Sequence, residues 1–326
     1  MTNSISGDKR IRQRLHGWLV LDKPLGPSST QALGKVRHLL NAEKAGHGGT
    51  LDPLASGLLP IALGEATKTI AFVMDGQKTY RFTVQWGAET NTDDLEGQRT
   101  AHSPDFEFNE NNILPRNMEN VAMQHKLEAV LPGFHGAVQQ QPPPYSAILV
   151  SGKRAYAMAR AGEEVALPSR TIQIDSVKII DWPSPSQATF EVTCGKGTYV
   201  RAIARDLGRA TGFLGHVVML RRTGVGPFTE EHMISLEKLA EIVHRPPSEN
   251  SLSALLRPIE TVLDGIPALA VMDPDAQRLR QGQMVLLPGS SSLDAAEVVL
   301  VNHDGRPLGL CSIAGGFLKP KRLFNL

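Results

Sequence analysis

The chain of 326 residues is long enough for one large hydrophobic core and a smaller second domain. It is 41% hydrophobic and 21% charged, without a run of 18 apolar residues, which predicts a soluble globular protein and excludes a membrane-spanning helix. The two cysteines, Cys194 and Cys311, lack the spacing of a disulfide framework or a zinc site, so we expect a reducing, cytoplasmic location.

The net charge of +1 hides an uneven distribution of charge along the chain. Residues 145–225 carry 11 Lys or Arg against 6 Asp or Glu, whereas residues 82–135 carry 3 against 9. Such a division can steer a polyanion to one face of a nearly neutral protein, although solvated charged faces are also common. The distribution therefore favours a nucleic-acid partner.

The first 90 residues predict a leader, a strand, a helix and a second strand. Residues 1–15 are polar and basic without the apolar region of a signal peptide, which indicates a flexible leader. Residues 17–24 predict a short strand, and Ser28 can cap a helix that continues to about Asn41. The β-branched and aromatic residues at 79–86 alternate as in a strand.

A run of 23 residues, 46–68, is the most unusual segment of the chain. Its first half holds one carboxylate, Asp52, among glycines, His47 and Pro53. The glycines allow close approach of the backbone, and Pro53 biases Asp52 towards an extended conformation. An acid on so stiff a loop can be a placed nucleophile or base. The alternatives are a simple turn, or Asp52 as the cap of a helix that starts at Pro53.

The middle of the chain is predicted to contain a projecting segment. We expect a polar turn at 90–97, an irregular polar segment at 98–117 and a helix at 121–130. Residues 136–162 hold three consecutive prolines followed by basic residues and a tyrosine, which indicates a projecting loop with a short helix. A solvated excursion without a function is the alternative for this segment.

Strands and helices are predicted to alternate after residue 170. The patterns at 171–180 and 188–194 are typical of strands. Residues 195–201 lead into a helix, and another short helix follows Leu236.

The last part of the chain predicts a small β-rich domain after a linker. Residues 244–253 are rich in Pro and Ser, as in a linker, and the composition changes from about 256 onwards. A turn is expected at 288–292, with strands near 297–302 and 308–313.

Several kinds of chemistry are unsupported by the motifs. Phosphate-binding glycine patterns, a nucleophile elbow, paired histidines and a calcium loop are all absent from the sequence. Two-carboxylate glycosidase chemistry stays open, because Asp52 and Asp94 could converge. A single carboxylate nucleophile is the other coherent choice, with Tyr80 and Tyr199 to stack on a ring and Arg201 to pair with the acid.

Residues 44–68 resemble the active-site motif of the bacterial tRNA pseudouridine-55 synthases, the TruB family. The resemblance covers most of residues 16–230, and its motifs occur in the family's order. The further motifs that carry it are residues 18–24, 78–80, 140–162, 197–201 and 215–222.

The resemblance implies an α+β pseudouridine synthase fold, with a mixed, mostly antiparallel sheet and flanking helices. It implies a catalytic domain at 16–250, an RNA-binding thumb at 136–165 and a PUA-like C-terminal domain at 256–326. The implied activity is isomerisation of uridine 55 in the tRNA T-loop without a cofactor or a metal. The implied partner is tRNA, with the chain acting as a monomer and without a membrane.

The resemblance also implies roles for three residues of the reaction. Asp52 matches the catalytic aspartate, which acts as nucleophile or base while the N1–C1′ bond breaks and the uracil rejoins through C5. Tyr80 matches a tyrosine that stacks on the base and moves a proton late in the reaction. Arg201 matches the arginine beside the acid, where a cation favours the ionised carboxylate. Without the resemblance, Tyr80 could be a core residue and Arg201 a surface charge.

The remaining implied contacts hold the RNA. His47 matches a histidine that holds flipped-out nucleotides, and Tyr199 and Leu220 match walls of the uracil pocket. Without the resemblance, the sequence pattern predicts that His47 is a polar loop residue and that Tyr199 and Leu220 are core residues. Asp94 stands where the family has a cleft aspartate. The thumb residues best placed for phosphate contacts are Lys153, Arg154 and Arg160.

Some features depart from the family pattern. Gly48 stands where many relatives have threonine, so a looser loop is expected there. Residues 98–120 form an acidic insertion of unknown purpose, and 23–24 are expected to buttress the loop. Two other functions stay open: an RNA-binding or tRNA-folding factor, and a guide-RNA-dependent relative that works inside a ribonucleoprotein.

Overall fold

The computed structural model describes residues 12–109, 112–116, 120–245, 252, 254–287 and 295–326. Most of the predicted leader, most of the predicted linker and the predicted turn at 288–292 lie outside these residues. The described residues form 21 strands and seven α-helices.

The strands and helices follow one another along the whole described chain. The strands are β1 (Gly17–Lys23), β2 (Ala45–His47), β3 (Ala55–Leu63), β4 (Lys78–Trp86), β5 (Ala88–Thr90), β6 (Arg99–His102), β7 (Phe106–Asn109), β8 (Asn112–Pro115), β9 (Gly136–Gln140), β10 (Leu149–Val150), β11 (Lys153–Arg154), β12 (Arg170–Ser184), β13 (Gln187–Cys194), β14 (Gly215–Val225), β15 (Phe228–Thr229), β16 (Met233–Ile234), β17 (Ala268–Ala270), β18 (Val285–Leu286), β19 (Ala295–His303), β20 (Arg306–Ala314) and β21 (Phe317–Leu323). The α-helices are α1 (Ser29–Leu39), α2 (Ile70–Asp75), α3 (Asn120–Val130), α4 (Ala155–Arg160), α5 (Val200–Thr211), α6 (Leu236–His244) and α7 (Asp273–Arg280).

The first helix begins where its sequence predicts. The Ser28 hydroxyl accepts a hydrogen bond from the Gln31 N–H at 3.2 Å, and the Gln31 side chain accepts one from the Ser28 N–H at 2.8 Å. This reciprocal capping box satisfies backbone donors that the first turn of a helix leaves free. The cap directs α1 away from the end of β1, which brings its first residues towards the glycine-rich loop.

A ten-stranded sheet forms the centre of the larger domain. Its main path is β16-β1-β3-β14-β4-β13-β12-β9, with β2 against β3 and β15 against β14. The pairs β1–β16 and β3–β14 are parallel, and the other pairs are antiparallel. The predicted α+β class with a mixed, mostly antiparallel sheet is therefore confirmed.

Three adjacent strands in the middle of this sheet hold the residues of interest. Asp52 lies three residues before the start of β3, Tyr80 lies on β4, and Leu220 lies on β14 between these two strands. Leu220 pairs with Ala55 on one side and with Phe82 on the other. The parallel pairing of β3 with β14 joins segments far apart in sequence, so only the assembled sheet brings these residues together.

One face of the sheet buries an aromatic core against α5 and α3. The rings of Phe82 and Phe190 stack at 5.3 Å between centroids, and Trp86 meets Phe190 and Phe213 edge-on at 6.1 Å each. Offset and edge-to-face contacts of this kind stabilise a core beyond simple area burial. This core gives the site a rigid floor.

The C-terminal domain packs against the opposite side of β1. Its five strands pair in the order β17-β19-β20-β21-β18. Phe324 joins a buried cluster with Trp18 and Phe228, and the Lys68 ammonium donates to the Leu323 carbonyl at 2.6 Å. The expected β-rich C-terminal domain is confirmed.

Two local expectations were wrong, and one of the alternatives for Asp52 is excluded. The described residues within 98–116 are not irregular, because β6 pairs with β5 and β7 with β8, and Phe106 is 2% exposed against Phe213. Residues 136–140 belong to the edge of the central sheet rather than to a projecting loop. A strand follows Pro53 instead of a helix, so Asp52 is not a helix cap.

The rest of the 136–162 segment does leave the sheet. After β9 it forms the small hairpin of β10 and β11 and then the short helix α4. No helix among the described residues has both the length and the apolar content needed to cross a bilayer.

Candidate active site

Hydrogen bonds from the Ser29 side chain to the backbone hold the loop that carries Asp52. The buried hydroxyl of Ser29, the first residue of α1, accepts from the Leu51 N–H at 2.8 Å and donates to the Leu51 carbonyl at 3.0 Å. One side chain thereby satisfies both backbone groups of the residue before Asp52. Such a double contact fixes the direction of the following residue.

Lys23 supports the same loop from the end of β1. Its side chain is fully buried, and its ammonium donates to the carbonyls of Pro24 and Pro27 at 2.9 Å each and lies 3.5 Å from the Pro53 carbonyl. Burial lowers the pKa of Lys23, and the charge of Asp52 acts in the opposite direction. The expectation that this lysine buttresses the loop agrees with these contacts.

Arg222 on β14 holds the glycine-rich part of the loop. Its guanidinium donates to the Leu58 carbonyl at 2.8 Å and the Gly49 carbonyl at 3.1 Å, and reaches the Thr50 carbonyl at 3.5 Å. Gly49 has a φ of +119°, a conformation that side chains other than glycine rarely adopt. The loop therefore needs glycine at this point in order to present its carbonyl to Arg222.

Gly48 does not loosen the loop as expected. A Cβ atom at this position would lie 2.7 Å from Cγ1 of Val73, which is itself 1% exposed. The Val73 side chain thus occupies the space that a larger residue would need, and the loop stays tightly packed.

Arg201 near the start of α5 joins two carboxylates. Its Nε lies 2.9 Å from Oδ2 of Asp52, and its Nη1 lies 3.3 Å from Oδ2 of Asp94. Its two terminal nitrogens also donate to the carbonyls of Thr92 at 2.8 Å and Tyr145 at 2.9 Å. Asp52 and Asp94 therefore converge on one cation, as the sequence suggested they could.

The two partners of this ion pair differ in exposure. The Arg201 side chain is 6% exposed and the Asp52 side chain 41% exposed. Arg201 is therefore not the surface charge that its helix-start position allowed. The Nε–H of Arg201 makes no aligned hydrogen bond despite the short distance, so the contact with Asp52 is electrostatic rather than directional. Asp52 presents its carboxylate to an open cleft.

A cleft of about 480 Å³ lies in front of this carboxylate. Its volume falls within the range of small-molecule sites, about 300–1,000 Å³. The predicted residues that line it together are Asp52, Tyr80, Tyr199, Arg201 and Leu220.

The ring of Tyr199 is held in place at the wall of the cleft. Its N–H donates to the Gln140 side chain at 2.9 Å, and that side chain donates back to the Tyr199 carbonyl at 3.1 Å. The Arg170 guanidinium lies over the ring at 5.1 Å, a cation–π contact. These contacts link β9, at the root of the predicted thumb, to the start of α5.

An apolar recess of about 140 Å³ continues the cleft on the other side of Asp52. Leu95 and Met219, which are 58% and 40% exposed, line it together with Asp94. Exposed apolar side chains around a recess are typical of a binding surface.

The other predicted residues lie outside the lining of the cleft. His47 ends β2, where burial lowers its pKa and its buried Nδ1 has no hydrogen-bond partner. Three basic residues lie on the hairpin and helix of the 149–160 region. Lys153 lies 3.6 Å from Glu163, Arg154 donates to the Ala147 carbonyl at 2.6 Å, and Arg160 lies over the Tyr156 ring at 5.8 Å.

Sequence reasoning missed Ser29, Arg170 and Arg222. Ser29 stands inside the capping sequence of α1, and Arg170 begins a strand, so neither position is distinctive. Arg222 could have been singled out, since an inward-facing arginine on an apolar strand must have buried partners.

A larger cavity, of about 930 Å³, lies elsewhere. It lies between the C-terminal domain and the first residues of the larger domain, and its walls include Arg14, Arg280 and Arg306. It contains none of the predicted site residues. We therefore assign the chemistry to the smaller cleft, where the acid, the cation and the aromatic rings meet.

Three family descriptions match successive parts of the chain. Residues 37–200 match the TruB family pseudouridylate synthase N-terminal domain. Residues 201–264 match the tRNA pseudouridylate synthase B C-terminal domain, and residues 267–324 match the C-terminal domain of pseudouridine synthase II TruB.

Similar proteins occur in bacteria. The tRNA pseudouridine synthase B of Bradyrhizobium diazoefficiens is 51% identical over 98% of this chain and 88% of its own length. The protein of the same name from Brucella ovis is 44% identical over 97% of this chain and 98% of its own. Among solved structures, a chain of a Cbf5-Nop10-Gar1 complex superimposes with a TM-score of 0.69 at 22% identity, covering 94% of this chain and 84% of that one. At this identity the likeness concerns the fold alone.

Proposed function

The chain belongs to the TruB family of pseudouridylate synthases, and on that premise we propose that it converts uridine 55 in the T-loop of tRNA to pseudouridine. The observation that carries the proposal is the half-exposed Asp52 carboxylate, which faces a nucleoside-sized cleft beside the buried Arg201. This arrangement suits a reaction that needs one acid and a bound base.

Asp52 is the group we propose to start the reaction. As nucleophile or base it lets the N1–C1′ glycosidic bond break, after which the uracil turns and rejoins the ribose through C5. The Nε atom of Arg201 lies 2.9 Å from Oδ2 of this carboxylate, an ion pair that keeps Asp52 beside the cleft. Because the Nε–H is not aligned on the carboxylate, the ion pair leaves Asp52 free to turn towards the ribose.

The cleft walls are proposed to hold the uracil ring. Tyr80, Tyr199 and Leu220 line the cleft with Asp52, so a base can stack there while its ribose meets the acid. Extrusion of a base from folded tRNA costs a few kcal/mol. Stacking on an aromatic side chain returns roughly 1–3 kcal/mol per base. Tyr80 also carries a hydroxyl group, which can take part in the proton transfer when C5 loses its hydrogen.

Phosphate contacts outside the cleft are proposed to offset the rest of the free-energy cost of extruding the base. Lys153, Arg154 and Arg160 lie together on the hairpin and helix that follow β9. We propose that this segment is the thumb and that His47 holds neighbouring nucleotides beside the loop. The buried free thiols of Cys194 and Cys311 support action in a reducing cytoplasm.

The test is mass mapping of pseudouridine in a tRNA transcript treated with the purified chain alone. We expect one modified site, in the T-loop. Asp52→Asn should abolish the product while tRNA binding stays within about threefold, because the loop geometry is held by other residues. Asp264→Asn, at an exposed position outside the cleft, is the matched control.

Two outcomes would contradict the proposal. Turnover by a clean Asp52→Asn preparation would remove this residue from the chemistry. Absence of any product from the wild-type chain would instead favour a guide-RNA-dependent relative. Binding that speeds tRNA folding in both the wild type and Asp52→Asn would support an additional folding role.

A further inference from the structure

Arg222 is a buried cation without an acidic partner. It is 1% exposed, and its hydrogen bonds go to the main-chain carbonyls of Leu58, Gly49 and Thr50. Arg201 and Arg205, by contrast, each pair with aspartates. In the part of the chain that the structure describes, Arg222 forms no ion pair. A buried charge that no acid neutralises is expensive to keep, so its retention calls for another reason.

The charge of Arg222 acts on several groups around the cleft. Burial lowers the pKa of His47 and of Lys78, and the positive charge of Arg222 lowers both further. These two residues lie on β2 and β4, on different sides of the loop. The guanidinium therefore makes the floor of the cleft electropositive, which favours any negative charge that forms there.

Tyr80 is the group best placed to carry such a charge. The antiparallel register of β14 and β4 sets Arg222 opposite Tyr80, and both side chains line the cleft. Burial raises the pKa of the Tyr80 hydroxyl, and Arg222 is the strongest opposing influence. Cys194 and Asp52, like burial, raise the pKa of Tyr80. Cys194 stays a neutral thiol, since burial raises its pKa to about 11.

We propose that Arg222 is a positioning residue with two tasks: it holds the loop before Asp52, and its uncompensated charge stabilises Tyr80 as a phenolate base. The inference rests on the proposed function, because it needs a step in which a proton leaves carbon. It deepens that function by naming the group that makes the phenolate form of Tyr80 accessible for the step.

The step itself balances without a co-reactant. Once C5 has bonded to C1′, the Tyr80 phenolate oxygen takes the proton from C5. The electron pair of the C5–H bond forms the C5=C6 double bond, the pair of the C6=N1 double bond moves to N1, and N1 takes a proton from solvent. Tyr80 then returns its proton to solvent, so substrate and product are isomers.

Two substitutions separate the tasks of Arg222. Arg222→Lys keeps the charge but cannot reach three carbonyls, whereas Arg222→Gln loses the charge and keeps a donor for the loop. The measurement is single-turnover release of tritium from tRNA that contains 5-tritiated uridine, followed from about pH 7 to about pH 11 so that the range spans the ordinary pKa of a tyrosine. Melting temperature and tRNA affinity are measured for each variant, so that misfolding is recognised.

The proposal expects different pH profiles from the two variants. In Arg222→Gln the rising limb of the pH–rate profile should move to a pH about one unit higher. The rate at neutral pH should therefore fall about tenfold, and a higher pH should partly restore it. Arg222→Lys should lower the rate while leaving the limb in place. In a Tyr80→Phe background, Arg222→Gln should no longer alter the pH dependence.

A role limited to the loop would give another pattern. Both Arg222 variants would then lower the rate by a factor that is independent of pH, with the same loss in the Tyr80→Phe background, and the proposal would be overturned. The wild-type reaction is the control for the function itself. If the wild type forms no pseudouridine, the proposed function fails; if it is active and the variants show no pH shift, only the role of Arg222 fails.

Discussion

Replacing Gly48 with threonine tests whether Val73 holds the catalytic loop in place. A Cβ atom at Gly48 would lie 2.7 Å from Cγ1 and 3.2 Å from Cβ of Val73, and the Pro60 side chain lies 3.5 Å away on another side. The Gly48 N–H also donates to the Pro60 carbonyl at 2.8 Å, so the backbone cannot move without losing that bond. The added side chain must therefore displace Val73 from a buried cluster.

The expected cost follows from overpacking. We expect Gly48→Thr to destabilise the protein by about 1–3 kcal/mol. Val73→Ala alone removes two buried methyl groups and should cost about 2 kcal/mol. In the double variant the new side chain occupies part of the vacated space, so the combined loss should be smaller than the sum by about 1–2 kcal/mol.

The assay is urea unfolding of the wild type, both single variants and the double variant, with single-turnover pseudouridine formation on the same samples. Gly48→Thr should slow the reaction by about tenfold or more, because small displacements of a catalytic group are costly. The double variant should recover part of that loss. Gly34→Thr is the matched control, since a Cβ at this exposed helical position meets nothing within 4 Å.

Additive losses in stability, or an unchanged rate in a Gly48→Thr protein, would refute the reasoning. Additivity would mean that the threonine finds space away from Val73. An unchanged rate would mean that the loop keeps Asp52 in position without the packing at Gly48.

Two further predictions concern a buried acid and the thumb. Burial raises the pKa of Asp93 from 3.8 to about 6, against the opposing charge of Arg205, so the folded state binds more protons between these values. The contribution of Asp93 to stability therefore falls as the pH rises through this window, by about 3 kcal/mol. Asp93→Asn should flatten the pH dependence of unfolding by a similar amount, measured in urea; an unchanged slope would contradict it. Changing Lys153, Arg154 and Arg160 to glutamine should reduce the slope of log Kd for tRNA against log salt by roughly 2 to 3. An equal reduction from three exposed basic residues elsewhere would show that only total charge matters.

The chain order of local elements was largely predictable because it depends on neighbouring residues. Ser28 and Gln31 form the capping box of α1, and the alternation at 79–86 forms β4. The resemblance to the TruB family is confirmed, whereas the roles that it implies for Asp52 and Arg201 stay predictions. The strands β6 to β8 were missed because each has only four residues, and Phe106 is buried in part against Phe213, far along the chain.

Local pattern and motif thus determined the fold class and the family of this protein, and they singled out Asp52 as the acid to test. The tertiary structure decided what surrounds that acid. The parallel pairing of β3 with β14 and the antiparallel pairing of β14 with β4 place Arg222 against the loop carbonyls and opposite Tyr80. Arg201 meets Asp52 and Asp94 in the same way, across separate segments. Strand register and burial are properties of the assembled sheet, so no local pattern encodes which charges meet in the cleft.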